Sequence, residues 1–413
     1  MATAVEGASG LQRALTMNDL VAFGVAAIMG EGGFNLISQG VVQGGPKFPL
    51  ALGGIAALFQ GASKVYSEAF KAFPTNTAES DVVHAVLGRE TAIFTAIAIL
   101  AFNLISVSAI LVLTAKNIAP EAGWWSQIAL ALGLLTVMTT FSLEGIQLNK
   151  QAVFGASAGI VALLMLASGI GLAEGFSGKG PGPFIYPHVL AKTPNFLKSL
   201  LFFYFILAGF DDIIKFVDET KEPMRDIPRS FYATNALCAL LVIGVSYAYL
   251  HVLTFKRDAH YHGQNALGLI VESAFGVGAG RAVYWIGIFL MLVTAFVSFL
   301  AVTRYVYSLA DRVDGKEEKN PSAARRFLLW LRELNEKKVP WRSVLFTGGV
   351  VAAAALVNHV DFLVNASDFF LSLILIAVSA AVTIMRAKKG EMPIVEGLTT
   401  VGFVGLLSAS FLV

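Results

Sequence analysis

Eleven apolar runs, most of about 20 residues or more, follow one another with no soluble domain between them. That pattern restricts the fold more than any other feature of the chain. A run of this length crosses a hydrocarbon core of about 30 Å at 1.5 Å per residue. The runs cover about residues 18–42, 46–71, 91–116, 123–143, 150–173, 198–219, 230–255, 281–310, 341–358, 364–386 and 393–413. In lipid every backbone N–H and C=O needs an internal partner, so only helices or a closed barrel can span. Barrel strands read as short alternating segments. These runs are long and continuous, so they predict a polytopic all-α membrane protein. Composition agrees: 56% of the 413 residues are hydrophobic and only 14% charged.

A net charge of +2 gives no reason to expect a nucleic-acid partner. Cys238 stands alone, which excludes an intramolecular disulfide and a cysteine metal site. No cleavable signal is expected, because residues 1–17 are mostly small and polar and the run after them is too long for a signal core. With the N-terminus inside, the inner segments hold 22 of the 30 lysines and arginines and the outer segments 8. The positive-inside rule then places residues 1–17 in the cytoplasm as a tail. The longest hydrophilic stretch, 311–340, carries Phe327, Leu328, Trp330 and Leu331 beside Arg325 and Arg326. It is expected to form a short amphipathic helix on the cytoplasmic membrane surface.

Two runs are interrupted in matching places. In the first, Gly30, Glu31, Gly32 and Gly33 fall mid-membrane. Glycine costs about 1 kcal/mol against alanine in a helix interior, and a central charge at least about 2.5 kcal/mol. An unwound centre there would free amides at the start of the second half-helix, which attract a carboxylate. In the sixth run Ala208 and Gly209 precede Asp211 and Asp212. Breaks five spans apart point to an inverted repeat with a binding site at the midplane.

At these residues the chain resembles the amino acid–polyamine–organocation (APC) transporter superfamily. The resemblance rests on Gly30, Gly32 and Phe34; on Tyr66, Glu68 and Pro74; and on Phe202, Phe203, Gly209, Phe210, Asp211, Glu219, Lys221, Pro223, Arg225, Asp226, Ile227, Pro228 and Arg229. Arg304 through Gly315 and Val339-Pro340-Trp341 add to it, so that it covers about residues 17–390. It implies a LeuT-like fold: a first five-helix repeat over 18–173, an inverted second repeat over 198–386, and here one trailing helix over 393–413. It also implies alternating access, with a site between spans one, three, six, eight and ten. The chain departs from the family pattern at Thr75 to Ser80, which replaces a glycine pair in the first cytoplasmic loop. It also lacks, between Gly155 and Ile160, the span-five lysine that stands in for sodium in some members.

The candidate substrate-binding residues are Gly30, Glu31, Gly32, Gly33, Asn103, Phe205, Gly209, Phe210, Asp211 and Asp212. Glu31, Thr294 and Ser298 are the candidates for ion coupling, with a proton or sodium as the ion. Buried carboxylates near the breaks suit an amine, yet Lys215 lies three and four residues past Asp212 and Asp211, so the acids have a partner on their own helix. Phe205 and Phe210 are placed to wall or gate the site, Asn103 and Ser106 to face the bundle interior. In the acid- and base-rich loop after span six, Pro228 is expected to pre-set the start of helix seven. No metal, cofactor or catalysis is expected, because the six histidines fall in loops or near span ends. The expected function is secondary transport of amino acids. The rivals are a polyamine or organic-amine carrier of the same fold and a non-transporting nutrient sensor.

Overall fold

The computed structural model describes residues 10–29, 36–176, 195–255, 265–312 and 322–411. Those residues form fifteen α-helices, and the only β pairing among them is an isolated bridge between Leu15 and Thr220. Seven helices are long and apolar enough to cross a membrane. They are α3 (Phe48–Ala72), α5 (Arg89–Ile118), α6 (Trp124–Ser142), α7 (Ile146–Phe176), α9 (Pro223–Phe255), α11 (Val277–Asp311) and α14 (Val360–Lys388). They fall on expected spans two, three, four, five, seven, eight and ten.

The other four spans take shorter forms. Helix α1 (Met17–Met29) and α2 (Ile37–Gly44) flank the first glycine cluster, and residues 30–35 lie outside the described residues. Span six divides into α8 (Phe196–Ile206) and a 3-10 segment, Phe210–Glu219. Spans nine and eleven correspond to α13 (Trp341–Ala355) and α15 (Ile394–Ser410).

Three helices lie between the spans. Helix α4 (Ala78–Leu87) lies between the second and third apolar runs, and α10 (Ala266–Phe275) precedes α11. Tight turns at Gly88 (φ +93°) and Gly276 (φ +86°), a backbone region that glycine enters without a Cβ clash, join them to α5 and α11. Helix α12 (Ala323–Leu331) is the expected amphipathic element. Its Ser322 side chain accepts from the Arg325 amide, and Phe327 and Trp330 are left exposed. One expectation is corrected. Helix α9 opens at Pro223, so Pro228 sits inside it rather than at its start. Pro223 takes the first-turn place where a missing N–H costs nothing, whereas Pro228, five residues on, leaves the Met224 carbonyl without its helical donor.

Two contact groups emerge. In one, α5 packs on α6, α11, α13 and α14. In the other, α1, α3, α8, α9 and the 3-10 segment pack together. Helix α11 touches both groups and is the most enclosed of the long helices, whereas α6 and α7 expose Val137, Met165 and Leu172. Apolar side chains facing outward are what a lipid solvent favours.

Candidate functional site

Helix α8 ends because the chain turns into glycine conformation. The Leu207 and Ala208 amides donate back to Phe203 (3.3 Å) and Phe205 (3.1 Å), closing the last turn. Gly209 then takes φ +108°, where an L side chain is strained. A Cβ on Gly209 would also stand 3.1 Å from the Ala27 carbonyl oxygen of α1. Glycine is therefore needed twice at this point, for the turn and for the approach of the first span to the sixth.

The 3-10 winding that follows has 3.0 residues per turn and brings residue i over i+3. Lys215 Nζ lies 2.8 Å from Asp211 Oδ2 and 2.8 Å from Asp212 Oδ1. All three side chains are buried. The second oxygen of Asp212, Oδ2, accepts from Ser298 Oγ of α11 at 2.8 Å. Thr294, one turn earlier on α11, donates to the Ala26 carbonyl at 2.6 Å. One face of α11 thus ties the end of α1 to the start of the 3-10 segment.

A cavity of about 30 Å³ lies at this junction. Ala27 and Ile28 of α1, Phe102, Asn103 and Ser106 of α5, Phe205, Ala208 and Gly209 at the sixth-run break, Asp212, Thr294 and Ser298 meet around it. The structure therefore brings together Asn103, Phe205, Gly209, Asp212, Thr294 and Ser298 from the expected set. Apart from Asp212 its polar groups are neutral, and Asn103 spends its amide on the Ile99 carbonyl at 2.9 Å.

Two expected residues are placed elsewhere. The Phe210 ring packs among Tyr66, Phe59 and Phe231 at 4.9, 5.7 and 6.0 Å and does not line the cavity. Asp211 turns to Lys215 and away from the cavity lining. Gly30, Glu31, Gly32 and Gly33 lie outside the described residues.

A second cavity, of about 590 Å³, lies between α8, α14 and α15. Lys198, Asp368, Asn365 and Ser372 supply its polar wall. Phe205 lines both cavities and is half-buried between them.

Sequence reasoning missed three interactions. Ser157 of α7 donates to the Ala22 carbonyl at 2.6 Å; only its mid-span position among small residues hints at a helix–helix tie. Arg304 and Glu219 form a buried two-pronged pair, with Nε and Nη2 each 3.1 Å from a carboxylate oxygen. The Glu219 carbonyl in turn accepts from the Ala14 and Leu15 amides at 2.8 and 2.9 Å, which clasps the N-terminal segment. The third is the wholly buried Glu79 carboxyl of α4, beside the Tyr66 hydroxyl.

The branched-chain amino acid permease BcaP of Bacillus subtilis is 24% identical over 415 residues, covering 94% of this chain and 84% of that protein. Uncharacterised transporters of Mycobacterium bovis and Mycobacterium tuberculosis are each 25% identical over 252 residues, 58% of this chain and 51% of theirs. The sequence model of the amino acid permease family matches residues 14–413. With that match across nearly the whole of a chain built from apolar helices, this is a multi-pass membrane protein that belongs to the amino acid permease family.

Proposed function

We propose that the chain is a secondary transporter of neutral amino acids, with apolar side chains preferred. The observation that carries this reading is that Asp211 and Asp212 are both engaged by Lys215 at 2.8 Å beside a largely apolar cavity. An acidic pocket open to a cationic substrate needs unpaired carboxylates. Here both already hold an ammonium, and the Ser298 hydroxyl takes a further Asp212 oxygen. The polyamine reading loses its main support, and Ile28, Phe102, Ile110, Phe205 and Ala208 offer a surface for an aliphatic side chain. The similarity to a permease named for branched-chain amino acids points the same way.

In this reading the chain folds as two inverted five-helix repeats, 18–173 and 198–386, with a trailing helix over 393–413, eleven spans in all and the N-terminus in the cytoplasm. The two contact groups around α5 and around α1, α3 and α9 support two bodies that rock against each other. The substrate carboxylate meets the amides of Gly30 to Gly33, and its amine meets carbonyls at the Leu207–Gly209 break. A water occupies about 30 Å³ of liquid, the volume of the inner cavity, whereas ligand pockets run to about 300–1,000 Å³. A cavity this small supports a closed arrangement. Movement of Phe205 joins the inner cavity to the outer one, which has the size of a substrate vestibule. The Arg304–Glu219 clasp holds the cytoplasmic side shut.

The test is competition in proteoliposomes. Uptake of labelled leucine should be suppressed by excess isoleucine and valine and left within about twofold by excess lysine, glutamate or putrescine. Suppression by lysine or putrescine equal to that by valine would overturn the neutral-substrate reading.

A further inference from the structure

Glu79 lies at the start of α4, within the stretch from Thr75 to Ser80 where the chain departs from its family's pattern. Its side chain is wholly buried. The Tyr66 hydroxyl is its hydrogen-bonding neighbour, and no cation among the described residues forms an ion pair with Glu79. A buried carboxylate normally survives by pairing or by hydrogen bonds. Lys215 acts on Glu79 electrostatically but is already taken by two aspartates at 2.8 Å each. Three buried carboxylates therefore share one ammonium, an excess of two negative charges, and Glu79, which has no ion pair of its own, is the one whose burial most favours the neutral form.

The ionisable groups around Glu79 come from several elements. Lys215, Asp211 and Asp212 face it from the 3-10 segment, Tyr66 from α3 and Tyr305 from α11. Helices α5 and α14 also pack on α4, but Arg89 and Glu90 at the start of α5 are exposed, as is Lys388 near the end of α14. Arg386 is engaged by Glu391 and Glu396. Burial is the main force, and it lifts the Glu79 carboxyl from the usual carboxylate range to about 8; Lys215 opposes the rise and Asp211 adds to it.

We propose that Glu79 is a proton-binding site that couples transport to a proton gradient. The inference rests on the transport reading above. Protonation removes the uncompensated charge and lets α4 close against the 3-10 segment. Opening of the cytoplasmic side admits water, returns the carboxyl to its ordinary range and releases the proton there. The span-five lysine absent from this chain is then not needed for coupling.

The sign of the pH effect follows. The closed state holds the proton more tightly than an open, hydrated one. Its stability relative to the open state is full below about pH 4.5 and falls as pH rises through about 8.

The experiment compares the wild type with Glu79→Gln in proteoliposomes, under an inward proton gradient and in leucine counterflow without one. Glutamine copies the neutral carboxyl. The wild type should accumulate leucine at least about tenfold under the gradient. The variant should lose that accumulation and keep counterflow within about threefold. Proton-driven accumulation by Glu79→Gln equal to wild type would overturn the proposal. Absence of counterflow in wild type would overturn the transport reading instead. If the variant fails to fold, wild-type protein in weakly buffered detergent with a pH indicator dye decides the matter. Leucine must shift about one proton per chain near pH 8, and no shift between pH 6 and pH 9 would reject Glu79 as the site.

Discussion

Lys215→Met is expected to be the most damaging single substitution in the chain. It removes the ammonium from between Asp211 and Asp212 and leaves two buried carboxylates without their partner. Breaking a buried ion pair by deleting one partner costs about 3–5 kcal/mol. That is a large share of a typical folding stability of about 5–15 kcal/mol. The expected outcome is a chain that aggregates on extraction and gives no monodisperse peak on size exclusion in mild detergent. The cause can be isolated. Asp211→Asn and Asp212→Asn added to Lys215→Met remove the stranded charges, so the triple variant should recover much of the folded yield. The triple variant should also lose the Asp212–Ser298 charge-assisted bond and transport slowly. A Lys215→Met protein as stable as wild type would mean that the lysine does not neutralise this site.

Arg304→Met should produce the second-largest effect, and a local one. Arg304 reaches Glu219 through two parallel N–H donors and touches Thr303 Oγ1 with a third at 3.1 Å. Glu219 holds the N-terminal segment through its carbonyl, and the Lys221 amide donates to the Leu15 carbonyl at 2.9 Å. Loss of the guanidinium strands the Glu219 carboxylate at a cost of about 3–5 kcal/mol. The clasp between residues 14–15 and 219–221 should then open. Amide hydrogen exchange at Ala14, Leu15 and Lys221 should accelerate by a factor of about 100 or more, since 1.4 kcal/mol is tenfold. Arg304→Lys should rescue only part of the protection, because an ammonium cannot copy the two-pronged fork. Unchanged exchange at those amides would mean that the buried pair does not hold the gate.

Much of this architecture is legible in the chain because lipid imposes simple demands. Long apolar runs must be helices, and seven of them are. The Asp211–Asp212–Lys215 triad is legible as well, since a separation of three and four residues puts the groups on one helical face whatever else surrounds them. Ser322 ahead of the Arg325-to-Leu331 stretch announces α12 in the same local way.

What could not be read depends on distant partners. Thr294 and Ser298 are visibly one turn apart, but the Ala26 carbonyl and the Asp212 carboxylate that they bond lie 268 and 86 residues away in the chain. Phe205 and Phe210 look equivalent as aromatics beside a break. The positive φ at Gly209 redirects the chain between them, so Phe205 faces the cavities and Phe210 enters an aromatic cluster. Glu79 follows a polar stretch that reads as a solvated loop, and only the packing of α4 on α3, α5 and α14 buries it. A charge whose cost comes from tertiary burial leaves no local signature.

The most direct test asks whether the substrate occupies the cavity where the first, third, sixth and eighth spans meet. Ser106 lines it, and the chain's one cysteine, Cys238, is buried in α9, so a Ser106→Cys variant has a single accessible thiol. The measurement is the rate at which a small membrane-impermeant thiol reagent modifies that variant in proteoliposomes, with and without saturating leucine. The account predicts modification without substrate and slowing by about tenfold or more with leucine, with no slowing by putrescine. An unchanged rate under leucine concentrations that the same vesicles transport would show that the substrate passes elsewhere.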